Sequence, residues 1–112
     1  LKKGMLKERN KRFLQGMSAV PAEEKLEVSE QYEFLGNYFM NVKKYPSAYR
    51  AFEKMHMTAQ MADNAPQQKL ALVRQGEAYL EMGNKSAALR KIREALGNDS
   101  QIVPTANEYY CQ

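Results

Sequence analysis

Two stretches of the chain carry the same pattern of small, aromatic and aliphatic residues at an offset of 40 positions. Gly36 stands 40 residues before Gly76, and Ala48 stands 40 residues before Ala88. The same offset pairs three sets of larger side chains, namely Tyr32 with Leu72, Phe39 with Tyr79, and Phe52 with Ile92. Matched small residues let two helix backbones approach closely, and the larger residues fill the space around that contact. The pattern therefore predicts two similar structural units.

Within each unit the apolar residues recur at steps of three and four, which is the period of an amphipathic helix. In the first helix of the first unit they are Leu26, Val28, Tyr32, Leu35, Phe39 and Val42. Residues that end or begin helices separate these stripes, and they are Pro46, Asp63-Asn64-Ala65-Pro66, Gly83-Asn84 and Gly97-Asn98. The sequence predicts helices over residues 2–16, 21–42, 46–62, 66–82 and 85–96, with a further short helix over 104–112. Short turns between helices require antiparallel neighbours, so we expect an all-α fold.

The first unit resembles the tetratricopeptide repeat. The segment Leu35-Gly36-Asn37-Tyr38-Phe39 is similar to the Leu-Gly-x-x-Tyr element of that family, with Phe39 in the place of the tyrosine. Ala48 and Phe52 are similar to its Ala-x-x-x-Phe element, and the second unit keeps most of the pattern. The full set of signature positions is Tyr32, Leu35, Gly36, Phe39, Ala48, Phe52, Leu72, Gly76, Tyr79, Ala88 and Ile92.

The resemblance implies antiparallel helix–turn–helix repeats stacked into a right-handed solenoid, with two repeats and a flanking helix at each end. The sequence departs from the family in four respects. Gln75 replaces its leucine, and no proline closes either copy where the family usually has one. Tyr32 and Leu72 occupy the place of its tryptophan, and the 40-residue spacing exceeds the usual period of about 34. The alternative is a generic bundle of four or five helices, because helical patterning alone does not distinguish a bundle from a solenoid.

Basic residues are concentrated at the start of the chain. Positions 1–16 hold six basic residues and one acidic residue, whereas the net charge of the whole chain is +4. We interpret residues 1–17 as a basic lead-in helix and residues 18–112 as the tetratricopeptide-like domain. Proteins that bind nucleic acid usually carry a basic face on the folded body, so we do not expect nucleic acid as the partner.

Few groups in the chain suit catalysis or metal binding. It has one histidine and one cysteine, and it lacks a glycine-rich phosphate loop. Glu77 and Glu81 lie four residues apart on one helix face. A solvent-exposed helix surface is sufficient to explain this pair of carboxylates. Soft side chains that suit Cu(I) cluster in the third helix, at Met55, His56, Met57 and Met61, but Met55 is a packing position of the repeat. We therefore expect no enzymatic activity, no metal site and no cofactor.

The resemblance also implies a binding surface, because the first helices of successive repeats line a concave groove in that family. The residues that correspond to its groove positions are Glu30, Glu33, Asn37, Met40, Asn41, Val73, Arg74, Glu77, Leu80 and Glu81. Four of them are glutamates and one is an arginine, so we expect the partner to be a basic or amphipathic protein segment or peptide. Glu33 stands where the family's carboxylate clamp has lysine, which argues against a clamp for chaperone tails.

Three hypotheses of function therefore follow, in order of preference, and the third and least favoured is nucleic-acid binding through the basic residues 1–16. The first is a scaffold module that binds a peptide or helix, on its own or as part of a larger regulatory protein. The second is self-assembly into a homo-oligomer through open repeat ends, with Tyr38, Met40, Tyr109 and Tyr110 packing between protomers. No apolar run approaches the roughly 20 residues that cross a bilayer, so we expect no membrane span and a cytoplasmic location.

Overall fold

The computed structural model describes the backbone of residues 2–102 and the side chains of residues 8–97. This part of the chain forms five α-helices and no strand, which confirms the all-α class. In chain order the helices are α1 (Lys2–Met17), α2 (Ala22–Asn41), α3 (Tyr45–Met61), α4 (Ala65–Glu81) and α5 (Lys85–Ile102). The short helix predicted over residues 104–112 lies outside the described residues.

The ends of the first four helices agree with the sequence-based prediction to within one residue, whereas the end of α5 does not. The predicted stop at Gly97-Asn98 is wrong, because α5 continues to Ile102. A glycine ends a helix when it adopts the left-handed backbone conformation. Gly83 does so, with a φ of 81°, but Gly97 remains helical. In the middle of a helix, glycine costs only about 1 kcal/mol relative to alanine.

Three turns of the same geometry connect α2 to α3, α3 to α4, and α4 to α5. In each turn one residue has a left-handed conformation, and these residues are Lys43, Asp63 and Gly83, with φ of 63°, 57° and 81°. The next amide N–H donates to the carbonyl five residues earlier, at 2.8 Å for Lys44 to Phe39, 3.0 Å for Asn64 to Ala59, and 2.9 Å for Asn84 to Tyr79. This bond closes the helix end by satisfying an otherwise unpaired carbonyl.

The three left-handed residues follow one another at intervals of 20, so the backbone repeats with every helix. The 40-residue offset of the sequence is therefore two such steps, one for each helix of a pair. Helix pairs joined by turns of the same geometry place equivalent residues at equivalent positions along their helices. A position in α2 can consequently be compared directly with the position 40 residues later in α4, and α3 with α5.

An asparagine side chain caps the start of two of these helices. Asn64 Oδ1 accepts a hydrogen bond from the Gln67 amide at 3.0 Å, and Asn84 Oδ1 accepts one from the Ala87 amide at 3.1 Å. The equivalent residue before α3 is Lys44, whose side chain makes no capping hydrogen bond. Asparagine is among the best N-cap residues, because its oxygen satisfies an amide that the helix leaves unpaired.

We expect Lys44→Asn to raise the free energy of unfolding by about 1 kcal/mol, because it supplies the missing cap. Asn84→Ala should lower it by about the same amount. Urea unfolding followed by far-UV circular dichroism measures both changes. Lys44→Ala is the matched control, since it removes the lysine without adding a cap. An equal gain from Lys44→Ala and Lys44→Asn would contradict the capping explanation.

The core lies between α2, α3 and α4. Each of the helices α2 to α5 packs against its neighbours along the chain, and α2 also contacts α4. The central cluster of fully or nearly fully buried apolar residues consists of Ala48, Phe52, Met55 and Ala71. Half-buried side chains surround it, namely Tyr32, Phe39, Met40 and Leu70. The small alanines bring the backbones close together, so the few large side chains fill most of the remaining space.

Glycine sets the closest approach within each helix pair. Gly36 of α2 faces the ring of Phe52 in α3, and Gly76 of α4 faces Ile92 in α5. These contacts involve equivalent residues, as the 40-residue offset predicts. A side chain at Gly36 would overlap the Phe52 ring, whereas one at Gly76 would lie 3.0 Å from Ile92 Cγ1. The first pair is therefore packed more tightly than the second.

Helix α1 contacts α2 and α3 through Phe13 and Asn10. The Phe13 ring meets the Tyr32 ring edge-on, with 5.9 Å between their centroids. Lys54 Nζ lies 5.2 Å from the centre of the Phe13 ring and donates a hydrogen bond to Asn10 Oδ1 at 3.5 Å. Aromatic packing and a cation over the ring thus hold the lead-in helix against α2 and α3.

Candidate protein-binding surface

A buried polar network fixes α2, α3 and α4 relative to one another. Ser29 Oγ donates a hydrogen bond to the Met55 carbonyl at 2.8 Å. Gln67 Nε2 lies 3.3 Å from Ser29 Oγ and 3.2 Å from Glu33 Oε1, and it donates to both. Ser29 is fully buried, so its bond to the Met55 carbonyl is shielded from water, whereas the bonds of Gln67 are partly buried. The network places the first helices of the two pairs, α2 and α4, side by side.

The residues predicted for the groove are divided between these two helices. Those exposed to solvent are Glu30, Asn37, Asn41, Leu80 and Glu81, and those half-buried are Glu33, Met40, Val73, Arg74 and Glu77. Met40 packs against the core, which reduces the surface that it can offer to a partner. Gln67 links α4 to Glu33, so the two helices meet at a groove position.

Arg74 and Glu77 neutralise each other within α4. Arg74 Nη1 donates to Glu77 Oε1 at 3.1 Å, and both side chains remain partly exposed. Arg74 Nε is buried without a hydrogen-bond partner. Among the predicted groove residues, the charges that remain outside this pair are those of Glu30, Glu33 and Glu81, so the predicted groove surface is acidic.

Two exposed aromatic residues on α2 lie outside the predicted groove: Phe34 was missed in the sequence, and Tyr38 was assigned there to the self-assembly hypothesis alone. Phe34 is 79% exposed, and Tyr38, one turn later, is 55% exposed. A shallow depression lined by Glu27, Glu30, Gln31 and Phe34 lies beside them. Phe34 is an apolar residue that lies outside the apolar stripe of α2. Its placement among polar residues is the one sequence signal that could have identified it.

A separate cleft of about 310 Å³ lies between α1, α2 and α3. Its basic side chains are Arg9, Arg50 and Lys54, and its apolar floor includes Leu35 and Phe39. Tyr32 also lines it, and burial raises the pKa of the Tyr32 hydroxyl. The protein therefore has a basic cleft on the side of α1 in addition to the acidic surface on α2 and α4.

Packing of α3 against α4 and α5 shifts the pKa values of two of its side chains, His56 and Tyr49. Burial lowers the pKa of His56, with Glu94 opposing that shift and Lys91 adding to it. The Tyr49 ring packs against Tyr79 with 4.7 Å between centroids, and burial together with the Tyr79 hydroxyl raises the pKa of Tyr49. Among the described residues, no group of three or more His, Cys, Asp or Glu side chains is placed to hold a metal.

Comparison of the chain with family models, with curated proteins and with solved structures gives no match. Within residues 2–102, no helix combines the length and the apolar character that crossing a bilayer requires.

Proposed function

We propose that the chain is a protein-interaction module of the tetratricopeptide kind, which binds a basic or amphipathic segment along the surface shared by α2 and α4. In this proposal the helix pairs α2–α3 and α4–α5 are successive repeats of a right-handed solenoid. The side-by-side placement of α2 and α4 supports it best, because it brings the first helices of both repeats onto one surface.

Two properties of that surface support a protein ligand. It is held by a buried hydrogen-bond network, so little ordering is needed when a partner binds. It also combines acidic side chains with the exposed apolar Leu80. An amphipathic segment would pair its basic residues with Glu30 and Glu81. Its apolar residues would lie on the surface of α2 and α4 between these two glutamates.

The test is selection of random displayed peptides of about 16 residues, long enough for four turns of helix, on the purified wild-type chain. We expect the enriched peptides to carry an excess of lysine and arginine. Glu77→Lys/Glu81→Lys should weaken their binding by roughly tenfold or more, which corresponds to about 1.4 kcal/mol.

Glu8→Lys/Glu24→Lys is the matched control, because it makes the same change in net charge at exposed positions away from α4. It should leave binding within about twofold of wild type. Circular dichroism establishes that each variant stays folded. Enriched peptides without a basic bias, or equal losses in both double variants, would contradict the proposal.

A further inference from the structure

One face of α2 is exposed along its whole length, and we name it the α2 outer face. It consists of Glu27, Gln31, Phe34 and Tyr38, which follow one another at steps of three and four and form one stripe. All four side chains are exposed. The stripe lies on the opposite side of the helix from Gly36, which faces α3.

The equivalent face of α4 is a packed interface. Forty residues after the α2 outer face stand Gln67, Ala71, Arg74 and Ala78. Ala71 and Ala78 are fully buried, and Gln67 bonds to Ser29 and Glu33 of α2. In α4 these positions therefore join the second helix pair to the first. In α2 the equivalent positions are open to solvent.

The composition of this open face favours a partner rather than a cap. Terminal units of helical arrays normally carry a polar outer face that keeps them soluble. The α2 outer face has two polar residues, but it also exposes a phenylalanine and a tyrosine one turn apart. Neighbouring exposed aromatic residues are typical anchors of protein interfaces.

A second exposed stripe lies on α5, and we name it the α5 outer face. It consists of Lys85, Leu89 and Arg93, with Leu89 50% exposed. Forty residues before Leu89 stands Tyr49, which packs on Tyr79 of α4. The position that Tyr49 uses for helix packing in the first pair is thus occupied by the half-exposed Leu89 in the second pair.

The two outer faces differ in charge. The α2 outer face carries Glu27 and no basic residue, and the helix as a whole is acidic, with five glutamates against Lys25. Residues 85–97 of α5 carry Lys85, Arg90, Lys91 and Arg93 against Glu94, so they are basic. Contact between two α2 faces, or between two α5 faces, would bring like charges together, whereas contact of α2 with α5 would pair opposite charges.

We propose that copies of this chain associate head to tail, with the α5 outer face of one copy on the α2 outer face of the next. Leu89 packs against Phe34 and Tyr38, and the basic residues beside it meet Glu27 and its acidic neighbours. The contact is heterologous, so a dimer keeps one free α2 outer face and one free α5 outer face, and growth beyond a dimer is expected. A contact between single helix faces is smaller than the roughly 1,200 Å² of stable interfaces, so the association is weak.

Sedimentation velocity of the full chain tests this, over concentrations from about 10 μM to 1 mM, a range suited to weak association. Cys111→Ser is used throughout, so that disulfides do not contribute. We expect the average mass to rise past that of a dimer with concentration, and to fall as salt is added because opposite charges are screened. Two variants block one end each: Phe34→Gln/Tyr38→Gln on α2, and Leu89→Gln/Arg93→Gln on α5.

Each blocked variant alone should remain monomeric, because its intact face finds no partner. An equimolar mixture of the two should form a dimer and nothing larger, since one intact face of each kind is present. A monomeric wild type, a dimer of either variant alone, or a mixture that stays monomeric would each overturn the proposal. The association is independent of the proposed groove, so Glu77→Lys/Glu81→Lys should leave it unchanged.

Discussion

Phe52→Ala should lower the free energy of unfolding by about 3–5 kcal/mol, the range observed for truncating a fully buried aromatic residue. Phe52 has no solvent exposure and lies among Ala48, Met55 and Ala71. Gly36, Ala48 and Ala71 beside it are small, so they have little side chain with which to fill the cavity. Because a domain of this size is stable by only about 5–15 kcal/mol, urea unfolding should show a large decrease in the midpoint.

Ile92→Ala is the matched control, because Ile92 is the equivalent residue in the second helix pair. Ile92 is only half-buried, so its truncation removes fewer contacts and should cost about 2 kcal/mol or less. The slope of the unfolding free energy against urea should stay constant in both variants. If Ile92→Ala cost as much as Phe52→Ala, the core would not be centred on α3 as described.

The helices could be predicted because their ends depend on local chemistry. Proline and asparagine near helix starts, and glycine at the end of α4, act within a few residues of sequence. The 20-residue period of the turns could not be predicted in the same way. The left-handed residues are Lys43, Asp63 and Gly83, which share no side-chain chemistry. Only the shared backbone geometry identifies them as one kind of turn.

The acidic character of the candidate site followed from the sequence, but the state of its individual residues did not. The pattern assigns Glu33, Met40 and Arg74 to one surface. Their half-burial depends on packing between helices, and the bond from Gln67 to Glu33 joins residues 34 positions apart. Side-chain pairing over that distance has no local signal. Whether the surface binds a partner stays a prediction until the peptide selection is done.

The open face of α2 illustrates the same limit. A sequence stripe tells which residues share a face, but not whether a neighbouring element covers that face. Gln31 and Ala71 occupy equivalent positions, yet one is exposed and the other is fully buried. The difference arises from what packs against each helix, which only the three-dimensional arrangement reveals.

Gly36→Ala should lower the free energy of unfolding by about 1–3 kcal/mol, the usual range for overpacking a core. A methyl group at Gly36 would lie 2.7 Å from Cδ1 and Cζ of the Phe52 ring, and closer still to Cε1. The ring is fully buried and cannot move aside without displacing Met55 or Ala48. The loss should appear even though alanine favours a helix over glycine by about 1 kcal/mol.

Two comparisons separate this steric effect from helix propensity. Gly16→Ala in α1 adds a methyl group with nothing within 4 Å, so it should be neutral or stabilising by up to about 1 kcal/mol. Phe52→Leu combined with Gly36→Ala should recover part of the loss, because the smaller side chain vacates the space that the methyl group needs. In a double-mutant cycle measured by urea unfolding, this appears as a favourable coupling energy of about 0.5–3 kcal/mol. Two outcomes would contradict this explanation: free-energy changes of the two single variants that simply add in the double variant, or a stabilising Gly36→Ala. Either would mean that α2 and α3 do not approach as closely at Gly36 as the contact with Phe52 requires.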